Sequence, residues 1–443
     1  MEMSRAGHLA VSRFGMGPGP GEVAAAARDP RGWALAQVGA RPAASRRFDD
    51  LPSGKVAARS FTRFVRGQRG DADERLPESA RSLYLREAIA RTASQVESAS
   101  PLVERLVAFW SNHFTVSIQR AVVLPLAGAF EREAIRPHVL GRFGDMLLAV
   151  ARHPAMLLYL DQAQSAGPAS MAARRRGRGI NENLAREILE LHTLGVEGGY
   201  SQDDVAAFAR ILTGWSIARE DEPDPGSFLF RERAHEPGEK LLLGRRFAEA
   251  GEDEAIAALG MLARHPSTAH NVATRMARHF VADDPPPALV AALSRAFLEG
   301  DGDLAALAAT LLRHDASWSA PATKLKTPND FVVSALRAAD IVPEDQRIVG
   351  ALRILGQMPF AAPSPAGWPD RAEHWIGPEA IMRRATWAMA LGARVAEGQR
   401  PEAFLARALG DAASEATRLW MPRAASASDA IALVLASPEF QRR

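Results

Sequence analysis

The chain has 443 residues, 47% of them hydrophobic and 24% charged, enough apolar sequence for a large folded core, which excludes disorder of the whole chain. Its formal charge is +2, from 54 basic and 52 acidic residues, too balanced for a protein that coats nucleic acid. It contains no cysteine, which removes disulfides, thiolate nucleophiles, zinc–thiolate sites and iron–sulfur clusters.

Residues 1–10 show no apolar stretch behind a basic start, so no secretory signal is expected there. No uninterrupted apolar run approaches the ~18 residues that cross a bilayer. The expected location is the cytoplasm, or export together with a partner. A short helix at 8–14 runs into Gly15-Met16-Gly17-Pro18-Gly19-Pro20-Gly21. Pro18 and Pro20 remove backbone donors and no strand precedes them, so this is a helix stop rather than a phosphate cradle.

From Glu22 onward, apolar residues recur at three- and four-residue spacing. Helices are expected at 22–37, 77–96, 101–113, 124–135, 141–151, 182–194, 202–212, 252–263 and 268–281. Others follow at 287–298, 304–312, 329–339, 346–356, 378–397, 401–409 and 428–435. Strands are expected at 227–231 and 240–243, forming a hairpin across His235-Glu236-Pro237-Gly238. The fold class is therefore mainly α, a multi-helix globular array with a small β-hairpin insertion near 227–244. One helical body over 1–443 is expected, with mobile loops at 41–70 and 162–179 and a looser C-terminal helical part over 320–443.

Helices ending in a short stop recur as LAVARHP, GMLARHP, LLRHDA and VLASP. His153, His265 and His314 occupy the last turn in the first three, and each reads as a helix-end signal that interacts with the dipole.

Three motifs could carry chemistry. In 181–195, Asn181 caps a helix on which Asn183, Arg186, Glu187 and Glu190 share one flank, while His192 lies across the apolar stripe. Glu187 and Glu190, three residues apart, could do acid/base work or hold a hard cation, or could pair with neighbouring helices. In 109–115, Trp110, Asn112 and His113 end a helix, and His113 either faces a cleft or is a satisfied core histidine. In 200–215, Ser201 and Asp204 form a capping-box variant, with Arg210 and Trp215 as polar and aromatic outlets. Lysine occurs only at Lys55, Lys240, Lys324 and Lys326, so the loop motifs HEPGEK, with His235 and Lys240, and KLKTP point to a need for a compact ammonium.

Together these stretches resemble a known family. The run from Asn181 to Trp215, with FWSNHFTVS (109–117), RPHVLGRFGDMLLAVARHPAMLLYLD (136–161), HEPGEKLLLG (235–244), HFVADDPPPALV (279–290), KLKTP (324–328) and PSPAGWPD (363–370), is similar to the bacterial "domain of unknown function 1800". The resemblance spans essentially the whole chain and implies no established activity, cofactor or catalytic residue. It implies a partner, since members are often encoded beside a sulfatase-like family, "domain of unknown function 1501". Many members also carry a signal sequence.

Three functions follow as expectations. The first is an accessory protein acting with that neighbour. The second is a hydrolase or lyase in which Glu187, Glu190 and His113 act as acids, bases or cation ligands and Arg186 and Lys240 clamp an anion. The third is polyanion binding through the arginines of 174–178, with nucleic acid disfavoured by the near-neutral charge.

Overall fold

The computed structural model describes residues 2–39, 45–65, 79–176 and 179–443. Among them are 24 α-helices and four strands of three residues each, so the fold is mainly α. Most expected helices form where the apolar spacing placed them. Pro101–His113, Gln202–Leu212 and Glu252–Ala263 match end to end. At Ser201 the capping box is complete: its hydroxyl accepts from the Asp204 amide at 3.2 Å, and the Asp204 carboxylate accepts from the Ser201 amide at 2.9 Å.

Other elements depart from the expected pattern. The helix expected over 22–37 breaks into Glu22–Arg28 and Pro30–Ala36, because Pro30 has no N–H to continue the ladder and Asp29 caps the second piece through the Gly32 amide at 2.9 Å. The helices at 124–135 and 182–194 each widen into a π turn, at Glu131–Ile135 and Ile188–His192. The expected loop at 41–70 contains a helix, Gly54–Val65, whose first amide is held by Glu133 at 2.8 Å; residues 41–44 and 66–70 lie outside the described residues. The expected loop at 162–179 contains the helix Met171–Arg176 and a 3₁₀ turn, Gln162–Gln164; residues 177–178 lie outside the described ones.

Both expected strands form, but they do not pair with each other. β1 (Trp215–Ile217) pairs antiparallel with β2 (Phe228–Phe230), placing Trp215 opposite Phe230. β3 (Lys240–Leu242) pairs with β4 (Arg245–Phe247) through a tight turn in which Leu243 (φ 49°) and Gly244 (φ 73°) are left-handed. The linker between β2 and β3 is instead pinned through His235.

Two apolar clusters organise the helices. The larger runs from Phe14 to Leu312 and centres on Trp110, Phe114, Phe143, Phe208 and Phe280. The second is built from 331–440 and is joined by Met16, Tyr84, Ala88 and Val96. The helix Pro328–Ala339 is buried along its whole length, and Arg337 reaches the carbonyls of Gln95 and Val96 at 3.1 and 2.6 Å. Buried ion pairs tie the first cluster further: Arg136 bridges Glu104 (2.7 Å) and Glu131 (3.3 Å), Arg91 also meets Glu131 (2.7 Å), and Arg132 meets Glu87 (2.8 Å).

The three helix-end histidines are structural, but they serve the next helix rather than the preceding one. In each, Nδ1 accepts from the amide two residues on: His153 from Ala155 at 3.1 Å, His265 from Ser267 at 3.1 Å, and His314 from Ala316 at 3.2 Å. Ser437 caps in a similar way, its hydroxyl accepting from the Phe440 amide three residues on at 3.3 Å. The imidazole is thus the N-cap at His153 and His265, where proline at the first helical position completes the start as it does after Ser437. At His314 the cap position is Asp315, and the imidazole holds the following Ala316 amide. His265→Ala is expected to lower unfolding free energy by about 1 kcal/mol in urea titration, with His265→Asn recovering most of it. Equal loss in both variants would show that the acceptor is not what matters.

Candidate functional site

An open hollow lined by many polar side chains lies between four segments. These are the last turn of Pro101–His113, the π turn Ile188–His192, the helix Pro266–Phe280 and the irregular stretch 366–374. The cleft holds about 350 Å³, within the size range of small-ligand sites.

Asn112 anchors one wall. Its side-chain amide donates to the Trp368 carbonyl at 2.9 Å, and its oxygen accepts from the Trp368 amide at 2.7 Å. Chain and side chain come this close only because residue 367 is glycine: it has φ +87°, and a Cβ there would lie 2.5 Å from the Asn112 carbonyl oxygen.

His113, 1% exposed, stands edge-on to Trp110 and Phe114, with ring centroids 5.2 and 4.6 Å away. Its Nε2 lies 3.0 Å from the His192 carbonyl, a contact that requires Nε2 to carry the proton, which leaves Nδ1 a lone pair with no partner. Burial pushes its pKa well below the ordinary histidine value, with the Arg275 charge and His192 adding to the effect. His192 is driven down to about 3, first by burial and then by Arg275. Both imidazoles are therefore neutral.

The π turn decides what the acidic motif presents. It is closed by Thr193, whose hydroxyl donates to the Ile188 carbonyl at 2.6 Å, five residues back. Glu190 and Leu191 line the cleft; Glu187 does not. Glu187 is half-buried, and its pKa is raised by burial and by the Glu190 charge, with Arg186 opposing. Its charge, after burial, helps push Tyr159 up to about 12.

The helix Pro266–Phe280 forms the opposite wall through Asn271, Arg275, Arg278 and His279, which recur at helical spacing on one face. Asn271 donates to the Thr193 carbonyl at 2.8 Å, and Arg275 to the Leu191 carbonyl at 3.2 Å. Arg278 donates to the Asp283 carbonyl at 3.1 Å. Burial lowers the Arg275 pKa to about 10 against the opposing charge of Asp370.

Behind this wall His279 Nδ1 lies 3.4 Å from Asp370, and the buried Lys324 ammonium lies 2.8 Å from Asp283 and 3.4 Å from Asp370. Both carboxylates are consequently held below the usual range despite burial. His279 Nε2 is buried with no partner.

The remaining residues singled out in the sequence lie elsewhere. Trp110 is fully buried beneath the cleft. Asn181 accepts from the Asn183 amide at 2.8 Å, capping the turn, and Asn183 is exposed. Arg186 pairs with Glu182 at 3.0 Å and Gln202 at 2.9 Å. Arg210 is exposed, and Trp215 is fully buried against Phe228. His235 and Lys240 share the buried Glu254, at 3.1 and 2.8 Å. None of these lines the cleft. Arg275, Arg278, Asn271, Trp368 and Asp370 do, and periodicity did not mark them. The available signal was the set of segments carrying the family resemblance: 109–117, 181–215, 279–290 and 363–370 all reach this hollow, and 324–328 supplies Lys324 behind it.

Among the described residues no group of three or more His, Asp or Glu side chains is placed to hold a metal ion, and no helix is long and apolar enough to cross a membrane. No curated protein and no solved structure matches the chain. A family model described as "Protein of unknown function (DUF1800)" matches residues 9–442, nearly the whole length, and the chain belongs to that family.

Proposed function

We propose that this protein works by recognition: it is an accessory protein whose cleft binds a ligand and which acts beside a partner encoded nearby, a sulfatase-like protein of the "domain of unknown function 1501" family. The observation that carries the reading is the wall bearing Arg275 and Arg278. Two half-buried guanidinium groups, one turn apart, have hydrogen bonds, among the described residues, only to main-chain carbonyls. Neither makes an ion pair with a carboxylate among the described residues, although the Asp370 charge acts on Arg275. Cations taken partly out of water are costly, and a bound ligand would compensate them. Apart from Glu190, the groups that would do acid–base chemistry are buried, outside the cleft or already paired. His113 and His192 are buried and neutral, Glu187 lies outside the cleft, and Lys240 is committed to Glu254. Val196, 70% exposed at the cleft mouth, supplies an apolar contact for a partner.

Glu190, which lines the cleft together with Asn112 and His113, favours a second reading as a hydrolase or lyase. Co-expression with the sulfatase-like neighbour separates the two. A stoichiometric complex is expected in light scattering, weakened at least tenfold by Val196→Glu. A chain that stays alone and turns over a substrate, with loss of activity in Glu190→Gln, would replace the accessory role by an enzymatic one. The arginine run at 174–178 lies largely outside the described residues, with only Arg174 described in full.

A further inference from the structure

The polar atoms around the cleft define what its ligand must offer. Arg275 and Arg278 present donors in search of an oxyanion; a guanidinium fork matches a carboxylate or a phosphate monoester. Two neutral imidazoles present the opposite need. His113 uses Nε2–H on the His192 carbonyl and His279 directs Nδ1 toward Asp370, so His113 Nδ1 and His279 Nε2 are both lone pairs. Both atoms are buried without a partner and both residues line the cleft. A buried acceptor left unmatched costs about 1–3 kcal/mol, so a ligand or ordered water that donates to it is favoured. Asn112 is already used on both sides by Trp368 and is not available. Phe109 and Trp368 add apolar surface to the lining. Glu190, also lining the cleft, disfavours a ligand of high negative charge.

We propose that the cleft binds a small hydroxylated organic acid: one oxyanion, carboxylate or phosphate monoester, seated on Arg275 and Arg278, with hydroxyl groups directed at His113 and His279. The proposal rests on the reading of this cleft as a binding site and names the ligand class. It does not depend on the partner, which is measured separately.

The test is calorimetry and thermal melting of the full chain with four probes. Gluconate carries a carboxylate and hydroxyls, glucose 6-phosphate a phosphate and hydroxyls, hexanoate a carboxylate alone, and sorbitol hydroxyls alone. Saturable binding is expected for gluconate or glucose 6-phosphate, and the better of the two identifies the oxyanion. Hexanoate and sorbitol are expected to bind at least tenfold more weakly. Arg278→Met, at a half-buried residue with one backbone contact, is expected to weaken binding at least tenfold while melting cooperatively; it serves where Arg275→Met fails to fold. Equal responses to all four probes at about 10 mM, or binding unchanged in Arg278→Met, would overturn the ligand class. Formation of the partner complex in that case would leave the accessory role standing, so the two failures are distinguishable.

Discussion

Unfolding free energy is expected to fall steadily as pH drops from about 6.5 toward 4. Four buried histidines titrate below their ordinary value: His8 at about 4, His192 at about 3, His113 well below 6.5, and His279 lowered by burial against the opposing charge of Asp370. In the unfolded chain each takes up a proton near pH 6.5, whereas in the fold it stays neutral, so protons favour the unfolded state and stability rises with pH across this window. Each histidine contributes up to about 1.4 kcal/mol per pH unit. Asp330 and Asp370, held below the usual carboxylate range by Arg105, Arg443, His279 and Lys324, add a further loss below about pH 4. Glu87 and Glu187, raised by burial, act in the opposite sense just above pH 4.5 and only soften the slope. Lys326 has the same sign as the histidines at higher pH. Burial brings it down to about 7, so the unfolded chain binds its proton between 7 and 10.5 while the fold does not. Urea titrations at half-unit intervals test this. A stability curve flat between pH 6.5 and 4.5 would mean that these imidazoles are protonated in the fold.

Lys240→Met is expected to destabilise the protein by about 3–5 kcal/mol, more than any change at the cleft rim. The ammonium is 2% exposed, lies 2.8 Å from the 1% exposed Glu254 carboxylate and donates to the Glu236 carbonyl at 2.6 Å. Glu254 also accepts from the Ala250 amide at 2.9 Å and meets His235 Nε2 at 3.1 Å. Removing the lysine alone leaves the Glu254 carboxylate in the core without its ammonium partner. The double variant Lys240→Met with Glu254→Met removes both charges and is expected to recover much of the loss, because the desolvation of the pair is relieved with it. Additive losses in the two single variants and the double variant would show that the pair contributes no mutual interaction.

The course of the helices was legible because it depends on local spacing: Pro101–His113 and Gln202–Leu212 carry their apolar stripe, first-turn proline or capping box within their own residues. The polar motifs were legible as motifs, but their destinations were not. Glu187 and Glu190 share a flank in a regular helix, yet the π turn puts only Glu190 on the cleft. A π turn has no short sequence signature, and here it is closed by Thr193 only once the helix packs. The lysine rarity pointed to a need for compact ammonium groups, and Lys240, Lys324 and Lys326 are all buried, but their carboxylate partners for the first two, Glu254 and Asp283, lie 14 and 41 residues away. Strand identity was set locally by residues such as Phe228–Phe230, while pairing was not, since an edge three residues long can join either neighbour and the turn at Leu243 and Gly244 decides.

By itself the sequence determined the class of fold, the course of most helices, the absence of thiol chemistry and the family. Those properties are carried by residues within a few positions of one another. Only the tertiary structure decided which side chains meet: that Asn112 grips Trp368, that Arg275 and Arg278 face Glu190 across an open hollow, and that His235 and Lys240 are core residues. Burial and charge pairing across tens to hundreds of residues fix those outcomes, and they are properties of packing, not of any stretch of chain.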